Sequence, residues 1–265
     1  MKNYIIFIFL LILQTACSST TDKGAIGVDR KQLTLVSSEE IRQASALQYQ
    51  DVKKEAQTKD QLDKNPVLIQ RLQAISKRII PQTAIFRKDA LGWDWEVHTI
   101  TSDELNAYCM PGGKIIFYTG LIDKLKLTDA EVAAIMGHEI SHALREHGRE
   151  RMSEEILKNV GLEVLVATKT IDSRYAGLVN LAETVGYSLR NNRGQEKEAD
   201  DMGMELMARA GFDPHEAITL WNKMSAVGGG KPPEILSTHP SDINRIKDMQ
   251  SLLPKTLPLY QQARL

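Results

Sequence analysis

His138-Glu139-Ile140-Ser141-His142 is the stretch of this sequence whose residue types and spacing could do chemistry. Two histidines four residues apart lie one turn apart on the same side of a helix, so both imidazoles can reach one ion. A glutamate between them is placed to act as a general base, the arrangement by which zinc hydrolases hold metal and base together. The surroundings read as helix from Asp129 to Arg145. Thr128 is the expected N-cap and Glu131, three residues on, closes a capping box with it. Val132, Met136, Ile140 and Ala143 recur at helical spacing and give the segment an apolar face.

Two histidines do not complete a zinc site, which needs a third protein ligand and an open fourth position. His147 lies nine residues past His138, about half a turn round the axis at 100° per residue. With Gly148 it reads as a helix C-terminus, a capping or core-edge histidine and not a ligand. Farther along, Gln195 to Ala210 forms a second informative helix. On it Glu196, Asp200, Gly203 and Met207 share one face, with Glu198 roughly opposite. Two acids one turn apart most often make a solvated face. Against that, Gly203 costs ~1 kcal/mol inside a good helix and implies close approach to another element. Glu196 is therefore the candidate third ligand. Asp200 is placed to hydrogen-bond the free ring nitrogen of a ligating histidine.

Elements on either side must position these groups. Ahead of the metal helix, Asn106 to Gly113 precedes a strand from Lys114 to Thr119. Pro111, Gly112 and Gly113 bend the backbone and keep proline free of ladder bonds, as an edge strand allows. Such an edge can accept a peptide as an added strand. Trp93 to Ile100 alternates and reads as another strand, with His98 expected to be exposed. Cys109 is expected to be a small buried apolar residue. Helices are expected from Ser38, from Pro66 after Asn65, from Ser153 to Thr170, from Ser173 to Leu189 and after Pro214. Gly228 to Pro233 is a candidate lid, and His239 sits in a loop before a last helix.

The 265 residues allow one well-buried domain or at most two small ones, and a net charge of −1 without a basic stripe excludes nucleic-acid binding. Two cysteines, Cys17 and Cys109, make no disulfide framework. At the N-terminus Lys2 and the apolar run Tyr4 to Leu13 read as a signal peptide over residues 1–16. Ala16-Cys17 resembles a bacterial lipoprotein processing site, although Gln14 stands where leucine is usual. Cys17 is thus expected to be the lipidated first residue of the mature chain. Simple cleavage near Ala16, leaving a soluble periplasmic protein, is the alternative. Residues 17–37 read as a flexible polar tether and 38–265 as the globular domain.

Taken together, H-E-I-S-H, E-x-E-A-D-x-x-G from Glu196 and S-T-H-P…R-I from Ser237 resemble the zinc metallopeptidase family forty-eight, of CAAX prenyl protease, HtpX, BepA and LoiP type. The likeness runs from roughly Gln82 to Met249 and is greatest to small periplasmic lipoprotein members. It implies an α+β, mostly helical, zincin-like fold with a small sheet whose edge strand (Asn106, Pro111, Gly112, Gly113) flanks the site. It implies one Zn2+ on His138, His142 and Glu196, with Glu139 as catalytic base. His239 and Arg245 match groups lining the cleft, with oxyanion or gating roles; in some relatives the matching histidine closes the open zinc position. The implied function is an envelope endopeptidase acting on unfolded or misassembled polypeptides. Ser18 after Cys17, with no Asp there, resembles enteric lipoprotein sorting to the outer membrane, so the expected setting is the periplasm at that membrane, with the assembly machinery there as an expected partner. The alternative is a latent or chaperone-like quality-control protein gated by His239. A zinc aminopeptidase would need an acidic amine-binding site that no motif here supplies.

Overall fold

The computed structural model describes residues 17–163, 192–226, 234–239 and 243–265. In chain order it contains β1 (Cys17–Ser18), β2 (Gln32–Leu33), α1 (Ser38–Thr58), α2 (Pro66–Ile79), β3 (Glu96–Ile100), β4 (Ala107–Met110) and β5 (Lys114–Tyr118). These are followed by α3 (Thr119–Leu125), α4 (Asp129–Leu144), α5 (His147–Glu163), α6 (Arg193–Arg209), α7 (His215–Ala226), α8 (Glu234–Thr238) and α9 (Ile243–Ala263). Two 3-10 turns, Ile80–Ile85 and Lys88–Gly92, join α2 to β3. The fold is α+β and mostly helical, as expected. Among the described residues no helix is long and apolar enough to cross a membrane. The signal segment, the helix over Ser173–Leu189, the end of that over Ser153–Thr170 and the Gly228–Pro233 lid lie outside the described residues.

The metal helix α4 is the centre of the domain. Its capping box forms as expected: the Thr128 side chain accepts from the Glu131 N–H, and the Glu131 carboxylate accepts from the Thr128 N–H at 2.8 Å. From Glu131 to Leu144 every residue is buried, so α4 needs partners all round. It crosses α6 at a pair of glycines. A Cβ on Gly203 would lie 2.8 Å from the His138 backbone nitrogen, and one on Gly137 would lie 2.9 Å from the Gly203 carbonyl oxygen. Only two hydrogens fit at that crossing. The close approach expected of Gly203 is therefore met by a second glycine on the metal helix.

The sheet has the order β3-β5-β4, with β3 parallel and β4 antiparallel to the central β5. β4 is thus an edge, but it is shorter than expected. Only Ala107–Met110 pair with β5, while Pro111, Gly112 and Gly113 make the turn between the two strands, the glycines at φ 86° and 84°. β3 is shorter than expected too, because the Trp95 N–H turns back to the Trp93 carbonyl at 3.0 Å just ahead of it. His98 is half-buried and bonded to Asp63, where an exposed residue was expected.

Residues 17–37 are the largest departure. They do not form a free tether. β1 and β2 pair, and Ile26, Val28 and Val36 are buried. The backbone N–H groups of Ala25 and Ile26 donate to Glu205 of α6, and Gln32 Nε2 donates to the Arg145 carbonyl. A polar segment is held here by polar partners 113 to 180 residues away, which local composition does not disclose.

Candidate functional site

His138, His142, Glu196 and His239 converge at the crossing of α4 and α6, each offering a ligand atom within 4.8 Å of the others. His138 Nε2 lies 3.1 Å from His142 Nε2 and 3.1 Å from His239 Nδ1. Glu196 oxygens lie 3.5 Å from His138 Nε2, 3.3 Å from His142 Nε2 and 3.0 Å from His239 Nδ1. Donors at about 2.0–2.1 Å from a tetrahedral ion stand about 3.3 Å apart. Five of the six pairs among these residues approach to 3.0–3.5 Å, a spacing that fits donors gathered around one zinc-sized cation, His239 among them.

The charge state suits a cation as well. Burial opposes ionisation of Glu196, yet His239 and His142 beside it hold the carboxylate well below its usual range. Burial keeps the His142 imidazole well below its ordinary value, hence neutral. Asp200 is also ionised: burial is outweighed by Arg245 and His138. An ionised Glu196 beside a neutral His142 suits a cation, since a metal ligand must be deprotonated.

The free nitrogens of the two helix histidines are both held. His138 Nδ1 meets Asp200 Oδ1 at 2.9 Å, the contact expected of Asp200. His142 Nδ1 meets His147 Nδ1 at 2.7 Å, and His147 Nε2 reaches Glu198 Oε2 at 3.0 Å. His147 and Glu198 were not among the expected site residues. His147 is fully buried and opens α5; Glu146, at φ 52°, takes the left-handed turn expected of Gly148. Glu198 does sit opposite Asp200 on α6, but that side faces Arg145 and the N-terminal segment instead of water. The spacing of His147 five residues past His142 was visible; its partner was not.

Glu139 is 3% exposed, and its Oε1 has no hydrogen-bond partner among the described residues. It faces His239 Nε2 at 3.6 Å. Burial pushes its carboxyl up, against the pull of His239 and His138. Glu139, His142 and His239 border a cleft whose other wall is Asn106 with β4, roofed by Ile41, Ser45 and their neighbours on α1. Asn106 donates to Glu104 and its carbonyl accepts from Tyr118. Cys109 is buried in the same wall, and burial raises its thiol well above the usual value, as fits a small apolar residue.

Arg245 is brought to the site but behind it. Its guanidinium forks onto both Asp200 oxygens at 2.7 Å, reaches Glu196 Oε2 at 2.9 Å and stacks 3.6 Å over the Trp221 ring. Of the two groups expected to line the cleft, His239 does so.

The arrangement is one of four donors that could hold a metal, a buried carboxylate and a strand edge. Comparison with known proteins gives the same chemistry. The chain is 35% identical over 175 residues to the mitochondrial metalloendopeptidase OMA1 of Arabidopsis thaliana, covering 65% of this chain and 35% of that protein. It is 30% identical over 248 residues to the mitochondrial metalloendopeptidase OMA1 of Bos taurus, covering 88% and 46%. With the β-barrel assembly-enhancing protease of Escherichia coli K12 it shares 27% identity over 208 residues, covering 75% and 42%. The chain thus spans less than half the length of each of these three relatives. The model of peptidase family M48 matches residues 66–253, and the chain belongs to that family of zinc metallopeptidases.

Proposed function

We propose that the chain is a zinc-dependent endopeptidase of the bacterial cell envelope that cleaves unfolded or misassembled polypeptides. The observation that carries this reading is the convergence of four donors beside a buried glutamate whose Oε1 has no hydrogen bond among the described residues, in a cleft walled by a strand edge. His138, His142 and Glu196 would hold the zinc. When bound there, zinc supplies Lewis acidity and lowers the pKa of a water to near neutral.

Glu139 takes the proton from the attacking water and returns it to the leaving amine. Its dry setting raises the carboxyl toward the range where it can do both. The outer edge of β4 would align an extended substrate by main-chain hydrogen bonds, which favours unfolded segments over particular sequences. His239, facing Glu139, is the group able to meet the oxyanion; Arg245 serves by fixing Asp200 and Glu196. Casein cleavage checks the assignment. Loss in Glu139→Gln, and loss of zinc in Glu196→Ala, are expected; retained cleavage or full zinc would overturn these roles.

The envelope location draws on the signal-like N-terminus and on the Escherichia coli relative, a β-barrel assembly-enhancing protease. Lipidation of Cys17 would anchor the domain to the outer membrane on a short leash, since residues 18–37 are packed against it. Metabolic labelling with a fatty acid tests this: label on the wild type that disappears in Cys17→Ala is expected, and unlabelled wild type sinks it.

One observation favours latency as a second reading. His239 Nδ1 lies 3.1 Å from His138 Nε2 and 3.0 Å from Glu196 Oε1, where it could serve as a fourth ligand, while its Nε2 faces Glu139 at 3.6 Å. One side chain would then block both water and base until substrate displaces it. His239→Ala should raise cleavage if the resting state is latent. Absence of cleavage by any variant would favour a chaperone-like binding role.

A further inference from the structure

His147 and Glu198 take no part in the reaction above, yet both are buried, His147 against the proposed ligand His142 and Glu198 against His147. What they do follows from where hydrogens can sit along the line His142–His147–Glu198. For His142 Nε2 to offer its lone pair to a cation, the ring's hydrogen must be on Nδ1. That nitrogen is 2.7 Å from His147 Nδ1, which must then accept. A neutral His147 accepting at Nδ1 carries its hydrogen on Nε2, 3.0 Å from Glu198 Oε2. A carboxylate accepts only, so the line ends consistently.

The opposite arrangement fails at each step. A hydrogen on His147 Nδ1 would turn its Nε2 lone pair toward the Glu198 carboxylate. It would also make His142 Nδ1 the acceptor, leaving the hydrogen of His142 on Nε2, where no metal could bind.

Glu198 is itself locked. Arg145 donates to its oxygens at 2.9 and 3.2 Å, and Arg30 of the N-terminal segment donates to both at 3.0 Å. Arg145 is fully buried and is held in turn by Ser19, Thr21 and the Arg30 carbonyl.

We infer that His147 and Glu198 are positioning residues that hold His142 in its metal-binding tautomer, with the N-terminal segment clamping the far end through Arg30. The inference rests on His142 being a zinc ligand, and the test separates the two.

The full zinc-loaded chain, with histidine labelled by nitrogen-15, is read by long-range proton–nitrogen NMR. His142 is expected to carry its hydrogen on Nδ1 and His147 on Nε2. A His147 hydrogen on Nδ1, or on both nitrogens, would overturn the inference. In competition with a chelator, His147→Leu should bind zinc about 10–100-fold more weakly than wild type. His147→Gln should regain most of that affinity, because its amide offers an acceptor and a donor at nearly the imidazole spacing. The thermal midpoint of each metal-free variant shows whether a loss is merely one of folding. Wild-type affinity in a folded His147→Leu would overturn the inference; if that variant does not fold, the wild-type tautomers decide alone. Failure of the wild type to bind zinc at this site would instead overturn the ligand assignment.

Discussion

The two histidines of the metal helix are supported in different ways. His138 is held in one step: Asp200 meets its Nδ1, and Arg245 of α9 forks onto Asp200. His142 is held in two, through His147 to Glu198, with Arg145 and Arg30 closing the far end. The first support is made by three helices. The second reaches into the N-terminal segment. Both acids lie on α6, two residues apart and so on opposite flanks, and α6 also delivers Glu196. A single helix thus sets one proposed ligand and orients the other two, so its distance from α4 and its rotation matter more than any one contact.

Breaking the short support should have the largest effect. Asp200→Ala takes from Arg245, 6% exposed, one of the two acids it pairs with among the described residues. Loss of a partner from such a buried pair costs about 3–5 kcal/mol, and zinc affinity should fall about 10–100-fold with it. Urea unfolding and chelator competition measure the two separately. Next comes the crossing itself. Gly203→Ala puts a methyl 2.8 Å from the His138 backbone, and overpacking of this kind costs about 1–3 kcal/mol. Because it pushes α6 from α4, it should weaken zinc binding although no ligand is changed.

Asp201 is the control, an acid beside Asp200 that belongs to neither support. Burial raises its carboxyl to about 6, against the pull of Lys197. A folded-state value above the ordinary one means the charged form is penalised above about pH 6, and the penalty fades as the pH falls toward 4. Asp201→Asn should therefore stabilise the protein by on the order of 1–2 kcal/mol at pH 8. The gain should vanish near pH 4, with zinc affinity unchanged; thermal melts at the two pH values check it. The smallest effect is expected at the far end of the long support. Arg30 has 39% of its side chain exposed, and Glu150 and Glu198 keep Gln32, Gln195 and Arg145 when it is removed. Arg30→Ala should cost about 1 kcal/mol or less and lower zinc affinity less than His147→Leu.

Much of the His138 side was legible in the sequence. Periodicity and the Thr128–Glu131 capping box define α4, helical spacing pairs Glu196 with Asp200, and a glycine in a good helix former marks the crossing. Those signals are local, or repeat at the period of one element. The His142 side was not legible. The angle that puts Glu198 opposite Asp200 is right, but which element covers that side depends on contacts such as Arg30 to Glu198, 168 residues apart. Composition read residues 17–37 as a tether because their anchors are polar. The helix end was misread because Glu146 takes the left-handed turn, its carboxylate engaged by Arg87, Arg149 and Ser38.

The measurement closest to the central claim is zinc content together with casein cleavage, on the wild type, Glu139→Gln and His239→Ala. One zinc per wild-type chain, one retained in Glu139→Gln with cleavage abolished, and cleavage present in the wild type or released in His239→Ala is the predicted outcome. Zinc-free wild type, or a Glu139→Gln variant that cleaves as well as its parent, would contradict the account.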